Sequence, residues 1–439
     1  MTFEEAKQFL LKRANELEVD AEILADETRE LTLGAFEGRL AETTQATRGG
    51  IGLRVVVGGK TGYASTEERS EEALEWALRE AKENAELQSG GDGFIPAGRA
   101  LGRKDLLSEG LSAPVEQKRE TALELEKTFR QDERLKQVSL ARYSERETSV
   151  SLASTKGADG GYRTGSAMLL GWFVTQQGES LKEGIDYRAT REYHSLEPGR
   201  TALEMLERTT RHLGAKPLAT GKYTAYFEPR PFAQLLSVFM YMLNGKSVRE
   251  GKSRLKDKLG TKIVSEQMTL VDDPTLPSGL GSRPFDSEGT PAAPVTLIEN
   301  GVLKSFLHNS ETAKALSQPN TGHASRSYKS TLGVSPSNLR LSPGDGVSKT
   351  SGVIVTDVMG VHAGANPISG DISLQALGLL VEDGEIVHPV DDFALSGNLL
   401  DLFARISNLG SELFWEPSGT GTHVGTPEIE IPDVSFGGS

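Results

Sequence analysis

The stretch LSVFMYMLNGKSVREGKS, residues 236–253, lies near the middle of this 439-residue chain. Its first half is apolar and lacks Gly and Pro, which predicts a buried helix over residues 232–242. Its second half changes abruptly to Gly, Lys, Ser and Arg. The side chains of the first half neither bind zinc well nor move a proton at neutral pH. We therefore expect a helix that supports a core and does not carry catalysis.

The composition limits which partners and which chemistry are expected. The chain has 48 basic and 62 acidic residues and a net charge of −14. This balance disfavours binding to nucleic-acid phosphates or to an anionic membrane surface. The chain has no cysteine, which excludes disulfides, thiolate nucleophiles and thiolate metal sites. The N-terminus has the pattern of a charged amphipathic helix and not of a signal peptide, so we expect a cytoplasmic protein.

The first half, residues 1–215, is expected to form an α+β domain. The predicted order of helix, antiparallel strands and helix occurs twice, over residues 1–88 and 112–214, which indicates an internal repeat. A Gly-rich segment, residues 89–111, is expected to link the two units. The clearest buried strand is IGLRVVV, residues 51–57, with glycines at both ends that are typical of turns.

The second half, residues 216–439, is expected to form a strand-rich domain with a mixed or barrel-like sheet. Many short apolar runs are separated by Gly, Pro, Asn and Asp. The Asn-Gly pair at 300–301 and the Asp-Gly pair at 383–384 each join two such runs and predict hairpins. A helix is expected over residues 399–409, with Gly410 as its cap.

Four polar residues of the second half are candidates for a catalytic site: Asp286, Glu288, His323 and Asp371. They lie in short clusters rich in Asp, Ser and Gly, where such side chains most often bond to their own backbone in turns. No two of the seven histidines fall within five residues of each other, so no helical two-histidine metal face is present. A Ser-His-Asp arrangement stays possible, although no GxSxG motif is present.

Several runs of the chain resemble, in the right order, the TldD/PmbA family, also called modulators of DNA gyrase. The resemblance covers essentially the whole chain. The runs are GGIGLRVVVGGKTGYAST (49–66), EGKSRLKDKLGTKIVSEQMTLVDDP (250–274), GLGSRPFDSEGTP (279–291), LIENGVLKSFLHN (297–309), NTGHA (320–324), SNL (337–339), SGDISLQALGLLVEDGEIVHPV (369–390), LSGNLLDLFARISNLGSEL (395–413) and DVSFGG (433–438).

The resemblance implies an intracellular proteolytic system that acts on peptides and unfolded polypeptides, with roles in peptide maturation. TldD-type members of the family carry zinc on a helical HExxxH motif and a cysteine near the C-terminus. The zinc acidifies a bound water, and the Glu of the motif takes its proton. PmbA-type members, also called TldE, lack these residues and pair with a TldD-type subunit.

The resemblance implies that this chain is PmbA-like. Counting back without gaps from the shared Gly-x-Ser at Gly251 and Ser253 puts the two His positions at Leu236 and Tyr241. The Glu position falls at Ser237. These residues are poor zinc ligands and bases, so the resemblance implies that this chain binds no metal or other cofactor. Zinc is expected in a TldD-type partner.

Three hypotheses about function follow. In the first, the chain is the non-metal subunit of a zinc peptidase, in a dimer with a TldD-like catalytic subunit or with itself, and helps to hold an extended peptide. In the second, it is an independent hydrolase that uses Asp286, Glu288, His323 and Asp371. In the third, it is a binding or regulatory module that acts on a protein such as DNA gyrase without hydrolysis.

Overall fold

The computed structural model describes residues 1–418 and 422–438. The N-terminal half contains two helix–strands–helix units and one additional short strand. Its elements are α1 (Phe3–Glu16), β1 (Asp20–Phe36), β2 (Arg39–Val57), β3 (Lys60–Thr66), α2 (Glu71–Glu86), β4 (Ala100–Asp105), α3 (Val115–Phe129), β5 (Leu135–Ser154), β6 (Asp159–Gln177), β7 (Ser180–Thr190) and α4 (Pro198–Thr210).

The strands of both units form one seven-stranded sheet. Its order is β3-β2-β1-β5-β6, and both β4 and β7 pair with different parts of β6. The two units meet where β1 and β5 pair antiparallel, from Glu22 opposite Ser154 to Ala35 opposite Ala141. The unpaired edge of each three-stranded unit is thereby covered by the other unit, which removes an edge that could pair with another chain.

Both pairs of helices pack on the same face of this sheet, at opposite ends of it. Alternate residues of a strand share one face. On β1, Ala21 and Ile23 belong to the core under α1 and α2. Farther along the same face, Leu31 and Leu33 belong to a second core under α3 and α4. One long strand therefore serves two separate hydrophobic cores.

The segment between the two units differs from the sequence expectation. The segment 89–111, expected to be a linker, contains β4, which pairs parallel with β6. β6 also pairs antiparallel with β7, which ends at Thr190. The residues that follow form a short 3₁₀ turn, Tyr193–Leu196. Strand pairing over long sequence distances is set by tertiary packing, and local propensity does not report it.

The C-terminal half contains most of the short strands. Its elements are β8 (Lys216–Pro217), β9 (Gly221–Phe227), α5 (Pro229–Phe239), α6 (Gly245–Arg249), β10 (Leu270–Asp272), β11 (Val295–Glu299), β12 (Val302–Leu303), α7 (Ser310–Leu316), β13 (Ala324–Ser325), β14 (Gly333–Val334), β15 (Asn338–Leu341), β16 (Gly352–Met359), α8 (Val361–Gly364), β17 (Asp371–Glu382), β18 (Glu385–Asn398), α9 (Leu399–Ala404), β19 (Asn408–Leu409), β20 (Phe414–Ser418), β21 (Thr422–Thr426) and β22 (Ile429–Gly437).

Five of these strands close into a barrel. Their order is β22-β9-β16-β17-β18, and β18 pairs back with β22 through Ala394–Gly437 and Leu395–Phe436. The β9–β16 pair is parallel and the other pairs of the ring are antiparallel. A second, six-stranded sheet has the order β12-β11-β10-β15-β21-β20. The expected α+β fold with a mixed, barrel-like second half is confirmed.

The central helix begins and ends earlier than expected. It was expected over residues 232–242, but α5 spans Pro229–Phe239. Proline suits the first turn of a helix because that turn needs no main-chain donor. After Phe239 the main-chain amides donate to the carbonyl three residues back instead of four. The amide of Met242, for example, donates to the carbonyl of Phe239. The chain thus leaves α5 through a tight turn.

The helix expected over residues 399–409 is also shorter. The structure has α9 only to Ala404, and Asn408 and Leu409 pair with β22. The amide of Gly410 donates to the carbonyl of Glu428 instead of capping a helix. Pairing with the closing strand overrides the helical pattern of the sequence here.

A buried ion cluster joins the two halves of the chain. Arg54 of β2 is 0% exposed, and its Nη2 donates to Glu22 Oε2 at 2.9 Å and to Glu288 Oε1 at 2.8 Å. Arg326 donates to Glu22 Oε1 from Nε at 3.1 Å and from Nη2 at 2.9 Å. We call Glu22, Arg54, Glu288 and Arg326 the buried ion cluster. Two of its members come from the N-terminal sheet and two from the second half, so it fixes how the halves meet.

No helix in the described parts of the chain is long and apolar enough to cross a bilayer.

Candidate functional site

A cleft of about 770 Å³ lies between α5, the β7 edge of the N-terminal sheet and the β16 and β20 strands. It is large enough to hold several residues of a peptide or a small ligand. Its lining residues are Ile185, Tyr187, Arg230, Ala233, Gln234, Ser237, Val238, Tyr241, Asp357, Val361, His362, Ala365, Pro367, Glu416, Pro417 and Val424.

One face of α5 and the turn after it form a wall of this cleft. Ala233, Ser237 and Tyr241 follow each other at intervals of four residues, which puts them on one side of a helix. The Ser237 hydroxyl donates to the Ala233 carbonyl at 2.8 Å. The opposite side of α5 packs in the hydrophobic core, where Leu236 is 0% exposed. Of the three positions matched to the zinc motif, Ser237 and Tyr241 line the cleft and Leu236 does not.

The other walls carry charged groups. The Arg230 guanidinium contacts Asp186 at 2.5 Å and Glu416 at 3.3 Å, and it thereby ties β7 to β20. Asp357 lies at a bulge in β16, where one residue of the strand is left out of the pairing with β17. Bulges re-aim side chains and are frequent beside functional sites. Burial raises the pKa of Asp357.

The side chains of the cleft do not fit a zinc ion. Catalytic zinc needs three protein ligands, chosen from Cys, His, Asp and Glu. At the three motif positions this chain has an alkyl group, a hydroxyl and a phenol. Over residues 1–418 and 422–438, no group of three or more His, Asp or Glu side chains is arranged to hold a metal ion.

Asp286 organises a buried turn. It is 2% exposed, and its Oδ1 accepts the main-chain amides of Glu288 at 2.9 Å and Thr290 at 2.8 Å. Its Oδ2 accepts the amide of Ala324 at 3.0 Å, next to His323. Burial raises the pKa of this carboxyl. The three amide contacts are those of a side chain that holds two loops together.

Glu288 and His323 lie in the same buried region. Glu288 is 3% exposed and accepts from Arg54 and from the Ser310 amide at 2.8 Å. His323 is 0% exposed, and its Nε2 lies 2.6 Å from Asp272 Oδ1. Although burial opposes it, hydrogen bonds from His323 and from Ser337 hold the pKa of Asp272 below its usual value.

The fourth candidate lies elsewhere. Asp371 is exposed at the start of β17, where it accepts from Ser369 Oγ at 2.7 Å and from Asn398 Nδ2 at 2.8 Å. The structure thus brings Asp286, Glu288 and His323 into one buried region, away from the surface, and leaves Asp371 outside it. A catalytic role for these four residues stays a prediction.

Sequence reasoning missed the polar residues of the cleft: Arg230, Asp357, His362 and Glu416. One signal was available, because Asp357 is the one charged residue of β16, residues 352–359. A charged residue inside a buried strand needs a partner or a function. The other three come from separate segments, and their spacing carries no signal.

A smaller cavity beside the cleft contains a histidine whose titration can be tested. His212 is 4% exposed; its Nε2 lies 3.0 Å from Thr356 Oγ1, while its buried Nδ1 has no partner among the described residues. Burial, together with the charges of Arg211 and Lys182, lowers the pKa of His212 from 6.5 to about 4. Protonation therefore favours the unfolded chain between these two values.

We expect the protein to lose stability through His212 as the pH falls from 6.5 toward 4. The variant His212→Gln should lose part of this dependence, about 1 to 2 kcal/mol between pH 7 and pH 5. Urea denaturation of both proteins at the two pH values measures the difference. An unchanged pH dependence in the variant would contradict this account of the histidine.

Comparison with known families gives matches along the chain. The model named PmbA/TldA metallopeptidase domain 1 matches residues 21–85, and the central-domain model matches residues 109–213. The model named PmbA/TldA metallopeptidase C-terminal domain matches residues 220–438. Together these matches span most of the chain.

Individual relatives match over nearly their full length. A protein of Methanothermobacter thermautotrophicus named metalloprotease is 29% identical, over 95% of each chain. The metalloprotease PmbA of Escherichia coli is 25% identical, over 99% of this chain and 96% of its own.

Solved structures match as well. A Thermotoga maritima protein, described as a proposed modulator of a DNA gyrase, has a TM-score of 0.89 and 30% identity, and the match covers 99% of this chain and 100% of that one. TldE from Thermococcus kodakarensis has a TM-score of 0.83 at 20% identity, over 98% and 99% of the two chains, and so shares the fold.

Proposed function

Because the chain belongs to the TldD/PmbA metallopeptidase family, we propose that it is the subunit without zinc of a two-chain peptidase. Its partner is a TldD-like chain that carries the HExxxH motif and the zinc, and the substrates are peptides or unfolded polypeptides. The observation that carries this proposal is the cleft. It retains a large volume beside α5, while the side chains at the motif positions do not fit a metal.

In this proposal the chain binds and orients the substrate, and the partner performs the hydrolysis. The cleft lining is partly apolar and partly polar. Val238 and Val424 are apolar, and Gln234 and Tyr241 are polar. Such a mixture suits a polypeptide, whose apolar side chains alternate with main-chain polar groups.

The β7 edge offers a way to hold an extended peptide. Within the described residues, β7 pairs only with β6. The Tyr187 carbonyl accepts from Arg230 and its amide donates to Asp186 Oδ1, so both groups are turned away from β6 and already have partners. Main-chain groups of alternate residues point to the same edge, so those of Ile185 face the cleft as well. Ile185 is 61% exposed. We propose that a substrate strand adds to this edge.

Co-expression tests the proposal. The chain and an HExxxH-bearing relative should copurify through size-exclusion chromatography. The complex should cleave denatured protein and short peptides, and a chelator should abolish the cleavage. The isolated chain should show no such activity. Separate elution of the two chains, with the relative equally active alone, would show that the chain is not its subunit.

A further inference from the structure

A strongly basic surface segment follows the cleft helix. Residues 245–262 contain seven Lys and Arg residues and two acidic ones. The rest of the chain has 41 basic and 60 acidic residues, so this segment contrasts with its surroundings. We call residues 245–262 the basic strip.

The fold holds the basic strip in place by its apolar side. Val248 and Leu255 are each 1% exposed and pack in the main core of the second half. The Ser253 hydroxyl donates to the Met242 carbonyl at 2.7 Å and accepts from the Leu255 amide at 3.1 Å. The charged side chains of the strip are exposed. Its cations are therefore presented on a fixed backbone.

Three lysines of the strip form no ion pair with the described residues. Lys246, Lys256 and Lys258 have no carboxylate oxygen within 4.0 Å in the described part of the chain, whereas Lys252 lies 2.7 Å from Glu250. The repulsion between neighbouring exposed lysines is weak, because water screens their charges. Because the three lysines form no ion pair within the described part of the chain, they remain available to an acidic ligand.

The basic strip adjoins the rim of the cleft. It begins four residues after Tyr241, which lines the cleft. In its middle, Arg254 Nη1 donates to the Ser369 carbonyl at 2.9 Å, in the loop that also contributes Pro367 to the cleft wall. An extended chain that leaves the cleft on this side passes over the strip.

We propose that the basic strip binds acidic residues of the polypeptide whose neighbouring part occupies the cleft. This proposal rests on the proposed function and adds a preference to it, namely polypeptides with an acidic stretch beside the segment that is cleaved. A short acidic segment fits better than nucleic acid, because a long phosphate backbone would also meet the acidic remainder of the surface.

The isolated chain suffices for the test, by fluorescence anisotropy with two labelled unstructured peptides. Both contain the same apolar centre, and one has a run of Glu at its end where the other has Gln. We expect the Glu peptide to bind about tenfold more tightly at low salt. The difference should vanish at about 1 M salt, where the Debye length is about 3 Å.

Two triple variants make the test specific. Lys246→Glu, Lys256→Glu, Lys258→Glu should abolish the preference for the Glu peptide. The matched control is Lys127→Glu, Lys136→Glu, Lys222→Glu, at exposed lysines that also lack a carboxylate within 4.0 Å in the described chain. It should keep the preference, because these lysines lie outside the strip and the cleft lining. Thermal melts confirm that both variants are folded.

Three outcomes would overturn the proposal. These are equal binding of the two peptides, an equal loss of preference in both triple variants, or duplex DNA binding as tightly as the Glu peptide. The result is independent of complex formation. If the complex with the zinc-bearing relative is active but cleaves both peptides equally well, only the preference fails. If no complex forms, the proposed function fails and the anisotropy result still decides the role of the strip.

Discussion

Replacement of Arg54 by Met is expected to lower the free energy of unfolding by about 3 to 5 kcal/mol, the usual cost of breaking a buried ion pair from one side. The variant would leave the carboxylates of Glu22 and Glu288 in the buried ion cluster with only one of its two arginines. Both carboxylates are at most 3% exposed, so water cannot replace the lost guanidinium. Burial raises the pKa of Glu288 to about 7, and the charge of Arg54 opposes this shift.

Urea denaturation at neutral pH measures the loss. The matched control is Arg163→Met, which removes contacts of an exposed arginine with Asp105 at 3.0 Å and with Glu147 at 3.7 Å and should cost less than about 1 kcal/mol. A second variant, Arg54→Met with Glu288→Gln, should recover part of the loss, because it removes one of the two buried carboxyl groups that lose Arg54 as a partner. A loss of less than about 1 kcal/mol in Arg54→Met would contradict the view that this cluster fastens the two halves together.

The second large effect is expected on activity. The variant Val238→Trp places a large ring at a position that lines the cleft, and it changes no charged residue. Val238 lies on α5 beside Ser237 and is partly buried. Because the ring fills space that the substrate would occupy, we expect the complex with the zinc-bearing relative to lose at least about tenfold in kcat/KM. A factor of ten corresponds to about 1.4 kcal/mol of lost transition-state stabilisation.

The smaller variant Val238→Ala serves as the control, because it enlarges the cleft. It should keep activity within about threefold of the unaltered complex. Both variants should assemble with the partner and melt near the unaltered protein, as size-exclusion chromatography and thermal melts would record. Full activity of the assembled Val238→Trp complex would show that substrate does not use this cleft.

The fold was predictable where local chemistry decides it. The apolar run of α5 indicated a buried helix, and the structure places Leu236 in the core. The Asn-Gly and Asp-Gly pairs indicated hairpins, and Asn300 and Asp383 adopt φ values of +48° and +50° between paired strands. Such turns need a positive φ, which Asn, Asp and Gly tolerate best, so sequence carries the signal directly.

The site was less predictable because distant segments form it. Arg230, Asp357 and Glu416 meet in the cleft through the barrel and the second sheet, and no periodic pattern connects them. The buried ion cluster likewise joins residues separated by up to 304 positions. In contrast, the candidate Asp286 stood in a recognisable turn cluster, and its bonds to three main-chain amides are those expected of a turn residue.

The most direct test of the central claim is the zinc content of the purified proteins, measured by elemental analysis after dialysis. We predict less than about 0.1 zinc per isolated chain and about one zinc per complex with the HExxxH-bearing partner, because three protein ligands are needed and only the partner's two motif histidines and its cysteine supply them. A stoichiometric zinc ion in the isolated chain, retained through dialysis and lost on substitution of a cleft residue such as His362, would contradict the account.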